Sequence, residues 1–333
     1  MSTPSAVREL TIAQAVNEAF VEELRRDERV FVIGEDVAEA GTPFKVLAGL
    51  VEEFGPERIV DSPISEAGIA GLGVGAAMTG LRPVVDIMFG DFLTLVMDQL
   101  ANQAAKTHYM SGGKLSVPLV LRTTLGATRR SAAQHSQSLQ AWVAHIPGLK
   151  VVLPSTPYDA KGLLKSAIRD DNPVVFLHHY LLTLEPGEVP DGEHLVPFGK
   201  AEIRRAGGDL TIVATGWMVP RSLAAAEKLA QEGIQAEVID PRTVAPLDLD
   251  TILKSVAKTG RLVLVDQAPR HATVSGIIAG EVAEHGFSSL KAPIVQVTAR
   301  DATVPYSEPL EAYVIPDEER IMAAARRVLQ GRR

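Results

Sequence analysis

Short apolar runs alternate with segments whose apolar residues recur every three or four positions, and this alternation continues almost to the end of the chain. In the first half, Val30–Gly34 (VFVIG), Arg82–Phe89 (RPVVDIMF), Val117–Thr124 (VPLVLRTT), Leu149–Pro154 (LKVVLP) and PVVFLHH read as buried parallel strands. Between them, Ile12–Arg26 reads as a helix opened by Thr11 as N-cap. Asp91 caps a second helix running to Met110, and Pro157 or Tyr158 opens a third, YDAKGLLKSAIRD. Residues 184–199 are rich in Pro, Gly and Glu, lack periodicity and read as a linker. Beyond them the pattern restarts with DLTIVATG and ends in the helix EERIMAAARRVL. Such alternation calls for parallel sheets covered by helices. The expectation is therefore α/β: two domains, residues 1–183 and 200–333, each a mostly parallel sheet covered by helices. A length of 333 residues suits two cores better than one.

Composition removes several function classes. A net charge of -8 without a long basic run argues against nucleic acid or an anionic membrane as partner. The absence of cysteine rules out disulfides, thiolate metal sites and cysteine nucleophiles. The stretch MSTPSAVRELT lacks a signal-peptide pattern and no apolar run is long enough to span a bilayer, so a cytoplasmic protein is expected.

The chemistry centres on Asp61–Gly80, DSPISEAGIAGLGVGAAMTG. Its lone acid, Glu66, precedes small residues at helical spacing, which allow close approach of a neighbouring helix or a flat ligand. Glu66 is either a helix-start acid or a buried functional one. Glu35, in GED after the strand VFVIG, lies where open α/β sheets place ligands, as does His135 in AAQHSQ after VPLVLRTT. Each is also compatible with an exposed loop residue, which is what a loop histidine usually is. His271, after VDQAPR, is a further strand-end candidate. GLGVGA fits a relaxed dinucleotide fingerprint but lacks the strand that motif requires before it, and no GxxxxGK[ST], HExxH or GxSxG is present.

Taken together, GEDV, SPISEAGIAGLGVGAAMTGLRPV, DQLANQAAK, YMSGG, AAQHSQSL, HIPGLKVVLPSTPYDAKGLL, SAIRDDNPVVF, IDPRTVAPLD and VPYSEPLEAYVIPD resemble the beta subunit of the thiamine-diphosphate-dependent first component of 2-oxo acid dehydrogenase complexes. The resemblance implies a transketolase-like pyrimidine-binding domain followed by a transketolase C-terminal-like domain. It implies that Glu66 hydrogen-bonds a ring nitrogen of the cofactor's aminopyrimidine, which requires a raised pKa supplied by apolar neighbours such as Ile64 and Ile69. It places Glu35, Ile64, Met88 and Phe92 around that ring, and His135 near the substrate and the lipoyl acceptor. Leu119, Ala167, Ile168, Asp170 and Asn172 match a potassium site found in several relatives. The Mg²⁺-binding GDG…N motif is absent, so the resemblance implies that an alpha subunit holds the diphosphate and Mg²⁺ in an α2β2 heterotetramer. A lipoyl-bearing acyltransferase core is the implied acceptor, and a small 2-oxo acid or acetoin the implied substrate.

Two departures stand out. His178 occupies a position where relatives often carry Glu, and Thr128-Arg129-Arg130 is more basic than the pattern before AAQHSQ. Met88 and Phe92 lean toward the pyruvate and acetoin branches. A branched-chain 2-oxo acid subunit, a transketolase-like sugar enzyme and a non-catalytic subunit remain as alternatives.

Overall fold

The computed structural model describes residues 7–331, so the first six and last two residues of the expected domains lie outside the described residues. Two compact units result: Met1–Leu125 with Val143–Phe198, and Gly126–Trp142 with Gly199–Arg333.

In the first unit the chain runs β1 (Val7–Thr11), α1 (Ile12–Arg26), β2 (Val30–Gly34), α2 (Leu50–Phe54), β3 (Ile59–Asp61), α3 (Glu66–Met78) and β4 (Arg82–Phe89). It continues through α4 (Leu93–Asp98), α5 (Ala105–Met110) and β5 (Val120–Leu125), and, after α6 (Gln140–Ala144), whose first three residues belong to the second unit, through β6 (Lys150–Val152), α7 (Pro157–Arg169), β7 (Val174–His179) and β8 (Pro186–Pro190). Six strands pair in parallel in the order β6-β7-β5-β4-β2-β3. Strands β2, β5 and β7 are buried throughout, which is why they read as continuous apolar runs in the sequence.

Helix α1 opens with a capping box between Thr11 and Gln14, and α7 with Thr156 as N-cap and Pro157 in its first turn. The two helices pack through charge as well as apolar contact. Lys161 and Lys165 of α7, each 1% exposed, reach Glu18 and Glu22 of α1, and Arg169 reaches the buried Glu23. Buried ammonium groups persist only with such partners.

Three expectations change. Residues 184–199 are not merely a linker, because β8 lies within them and pairs antiparallel with β1. Residues 126–142 belong to the second unit, not the first. The long helix expected after Asp91 is broken into a 3₁₀ turn (Gly90–Phe92), α4, a π-helical turn (Gln99–Ala104) and α5. Asp91 lies inside the 3₁₀ turn, and no side chain caps α4. A Cβ on Gly90 would sit 3.1 Å from both Thr124 O and the Leu125 side chain, so the end of β4 turns hard against β5 before the helix starts.

The second unit carries β9 (Glu202–Arg205), β10 (Leu210–Ala214), α8 (Met218–Gln231), β11 (Ala236–Asp240), β12 (Thr243–Ala245), α9 (Leu249–Thr259) and β13 (Leu262–Pro269). It ends with α10 (Val274–His285), β14 (Val295–Ala299), α11 (Glu308–Val314) and α12 (Glu318–Leu329). Its five-stranded sheet has the order β14-β13-β10-β11-β9 and is parallel except for the antiparallel edge strand β9. Ile212, Val238, Val263 and Val265 of the sheet pack with Leu229, Ile321 and Val328 of the helices as one core. Among the described residues no helix is long and apolar enough to cross a membrane.

Candidate active site

Three neighbouring parallel strands, β3, β2 and β4, deliver side chains to one edge of the first unit's sheet. β2 ends at Gly34, where a Cβ would stand 2.6 Å from Asp86 O and 2.7 Å from the Val37 side chain, so only glycine lets β2 leave so close to β4. Glu35 follows at once. The Asp61 carboxylate then accepts hydrogen bonds from Val37 N (2.7 Å) and Ala38 N (2.9 Å), and Ser62 N donates to Gly34 O (2.9 Å). These bonds tie the turn that carries Glu35 to the turn that leads into Glu66.

Glu66 is the first residue of α3 and is half-buried; Ser65 before it makes no side-chain cap. The Glu35 carboxyl is held above its ordinary range, by burial first and then by the charges of Asp36 and Glu66. Two acids placed in this way favour a ligand that supplies a proton or hydrogen-bond donors between them. The apolar surroundings expected for Glu66 are incomplete in this chain. Ile69 is buried on α3, but Ile64 is 71% exposed because the PISE turn stands clear of the sheet.

At the end of β4, Met88 and Phe92 are half-buried, and Thr124 Oγ1 donates to Met88 O at 2.8 Å. Phe92 packs edge-on to Phe89 (5.8 Å between centroids), Phe89 edge-on to Phe44 (6.3 Å), and Phe44 against Tyr180 (5.0 Å). An aromatic wall therefore flanks this edge, suited to covering a flat ring. GLGVGA lies inside α3, so it is part of a helix and not a phosphate-binding loop.

In the middle of the same sheet, Arg122 Nη1 donates to the Asp86 carboxylate, and both residues are buried. Burial raises the Asp86 pKa and Arg122 works against that rise. Arg122 Nε and Nη2 and both ring nitrogens of His178 have no protein partner. Burial, with the Arg122 charge and then His179, pushes the His178 imidazole well below its ordinary pKa, so it is neutral. The departure at position 178 is therefore a buried one, beside an arginine.

His135 belongs to the second unit, in the loop after β5, and is half-buried. The loop is closed by Gly126 N on Gln137 O (3.3 Å). Thr128, Arg130 and Ala132 take positive φ values of 86, 57 and 56°, a left-handed conformation that costs roughly 1 kcal/mol per non-glycine residue. Glu311 of α11, 3% exposed, compensates by accepting from Thr128 N (2.7 Å) and Arg130 N (3.2 Å). On the other side of His135, Gln140 Nε2 donates to the fully buried Asp266 at 2.8 Å. Ser136, 2% exposed, and Gln267, 6% exposed, line a cavity of about 440 Å³ under the loop, and Ser136 Oγ and Gln267 Nε2 have no protein partner there. Exposed His271 faces Asp301 at 3.3 Å in the same unit.

Of the residues matched to a potassium site, Leu119, Ala167 and Ile168 are buried, and Asp170 and Asn172 form the turn before β7. The carbonyl oxygens of Ile168 and Asp170 accept from Arg82 Nη1 at 2.9 and 3.1 Å, and Leu119 O accepts from Val174 N at 2.9 Å. Each carbonyl retains a second lone pair, while Arg82 sets a positive charge against two of them and Lys150 pairs with the Asp170 carboxylate. Among the described residues no group of three or more His, Cys, Asp or Glu could hold a metal ion.

A two-unit chain with acids at the strand ends of the first sheet and a histidine loop in the second unit defines a class. Residues 8–183 match the transketolase pyrimidine-binding domain and residues 199–321 the transketolase C-terminal domain. The solved "Split gene transketolase, inactive beta4 tetramer" superposes with a TM-score of 0.80 at 21% identity, covering 97% of this chain and 99% of that one. Much closer in sequence is the pyruvate dehydrogenase E1 component subunit beta of Rhizobium meliloti, 48% identical over 96% of this chain and 70% of that protein. The acetoin:2,6-dichlorophenolindophenol oxidoreductase subunit beta of Cupriavidus necator is 47% identical over 97% of this chain and 98% of that protein. The chain belongs to the family of pyruvate and acetoin dehydrogenase E1 beta subunits, of transketolase type.

Sequence reasoning missed Asp61, Asp266 and Glu311, which act on backbone amides or on side chains distant in sequence. None of the three left a local signal in the sequence; in the structure Glu311 is a buried acid beside exposed Leu310 (55%) and Tyr313 (61%), the reverse of an ordinary amphipathic pattern.

Proposed function

We propose that this chain is the beta subunit of a pyruvate or acetoin dehydrogenase first component, and that with an alpha subunit it holds thiamine diphosphate and passes a two-carbon unit to a lipoyl group. The observation that carries the reading is the meeting of Glu35 and Glu66 at neighbouring strand ends, beside the Phe89–Phe92 wall, in a family that contains pyruvate and acetoin enzymes. The residues fit an aminopyrimidine: an acid for a ring nitrogen, a second acid nearby, and aromatic and thioether surface for the ring faces. When bound, thiamine diphosphate supplies the carbanion equivalent that attacks a carbonyl carbon.

This chain's own contribution is protonic and positional. Glu66, fixed at the start of α3, shares a proton with the ring nitrogen and thereby sets the basicity of the ring's amino group. Ile64 leaves one side of this carboxyl open, the side that the ring and the partner subunit would cover. Burial first, then the charges of Asp36 and Glu66, hold the Glu35 carboxyl above its ordinary range, so Glu35 is the second acid that can share a proton at this edge. Met88 and Phe92 orient the ring, and His135 donates a proton or stabilises negative charge at the substrate. The diphosphate and Mg²⁺ fall to the alpha subunit in an α2β2 assembly, and a lipoyl-bearing acyltransferase core is the acceptor. The oxygens of Leu119, Ala167, Ile168, Asp170 and Asn172 hold K⁺ as a structural ion. Exchanging K⁺ for choline should then lower the melting temperature of the complex, and an unchanged temperature removes the ion from the account.

The test is the turnover of the co-expressed complex on pyruvate, acetoin and branched-chain 2-oxo acids, with Glu66→Gln in parallel. Pyruvate or acetoin should be preferred. Glu66→Gln should cut turnover by at least about a hundredfold, the scale of a lost acid–base group, while assembly is unchanged. Near-normal turnover of that variant contradicts the role given to Glu66, and a preference for branched-chain acids moves the protein to the other branch.

A further inference from the structure

We propose that Glu311, on α11, is a positioning residue for the loop that carries His135. The proposal rests on the functional reading only in treating His135 as part of the machinery. The loop spends three residues, Thr128, Arg130 and Ala132, in the left-handed region that non-glycine residues avoid, so something outside it must hold that path. The Glu311 carboxylate does so. One oxygen accepts from Thr128 N at 2.7 Å, the second oxygen accepts from Arg130 N at 3.2 Å, and the side chain is 3% exposed. Hydrogen bonds to a buried charge are stronger and more directional than neutral ones.

The sequence around Glu311 is built for this and not for ordinary packing. Leu310 and Tyr313 on the same helix are 55% and 61% exposed while the acid points inward. A second acid secures the other end of the loop, since Asp266 accepts from Gln140 Nε2 at 2.8 Å and from Ala268 N at 3.0 Å. His135 lies between the two anchors, five residues after Arg130 and five before Gln140. The cavity of about 440 Å³ beneath the segment means that packing alone does not fix its position. Without Glu311 the three left-handed residues relax and the imidazole loses its register.

The test uses the complex assembled with the alpha subunit and loaded with cofactor, as wild type, Glu311→Ala, Glu311→Gln, His135→Ala and the double variant His135→Ala/Glu311→Ala. Backbone hydrogen exchange over residues 126–139 should rise about tenfold or more in Glu311→Ala, the loss expected for charge-assisted bonds, and less in Glu311→Gln, which keeps one acceptor oxygen. For Glu311→Ala kcat should fall by about tenfold to a hundredfold with KM little changed, as for a displaced catalytic group. The substitution should add nothing further in the His135→Ala background. Unchanged loop exchange in both single variants overturns the proposal, as does a full additional loss in the double variant. If His135→Ala is itself fully active, the catalytic reading of His135 fails, and loop exchange alone decides whether Glu311 holds the loop. Should Glu311→Ala fail to assemble, Glu311→Gln carries the same comparisons.

Discussion

His178 shows how a single residue can tie the stability of the fold to pH. Its ring is fully buried, has no protein hydrogen-bond partner and faces Arg122, so the native state keeps it neutral and holds its pKa well below the ordinary value. The unfolded chain protonates it near pH 6.5, so below that pH the unfolded state binds one proton more than the folded state. Stability contributed by the neutral ring is fully present above about pH 6.5 and is lost as pH falls, by roughly 1.4 kcal/mol per pH unit, until the folded pKa is reached. His178→Gln should therefore flatten the decline in urea midpoint between about pH 6.5 and pH 5. His194, whose pKa burial also lowers, remains in both proteins as the background slope. Equal slopes in the two proteins would show that the ring accepts a proton without cost. Sequence could flag position 178 as a departure, but not that the side chain is sealed beside an arginine, because that depends on β5 and β7 lying side by side.

At the scale of elements, α3 is governed by which glycine faces the sheet. A Cβ on Gly73 would sit 2.4 Å from the Val85 side chain and 3.1 Å from that of Leu119, whereas one on Gly75 would meet nothing within 4 Å. Alanine gains about 1 kcal/mol over glycine in a helix interior, but overpacking a core contact costs about 1–3 kcal/mol. In the isolated chain Gly73→Ala should therefore lower the urea midpoint and Gly75→Ala should raise it. Movement of both in the same direction would contradict this packing of α3. Element by element, α1, β2 and β4 take the bounds read from sequence, because a capping box and largely buried parallel strands leave strong local signals. The β1–β8 pair did not, since VRELT and PGEVP are short and mostly polar and gain their order only from each other. The π-helical break after Asp98 was invisible for a related reason: its apolar residues keep helical spacing while the backbone hydrogen bonds shift. Glu35 and His135 were legible as strand-end polar residues and Glu66 as the lone acid before a helix of small residues, and the family resemblance alone gave them roles. Asp61 and Glu311 were not legible, because no local pattern records a bond to a backbone amide far along the chain.

At the scale of the whole molecule, the proposed function makes this chain one half of a cofactor site. It has acids and an aromatic wall for a ring, but no GDG motif for a metal-bound diphosphate, and no cluster of metal-ligating side chains among its described residues. The most direct measurement is thiamine-diphosphate-dependent turnover of pyruvate and acetoin by this chain alone and by the same chain co-expressed with the alpha subunit, with Mg²⁺ in both. The account predicts no turnover above background from the lone chain and full turnover from the α2β2 complex. Full turnover from the lone chain would contradict a site divided between two subunits.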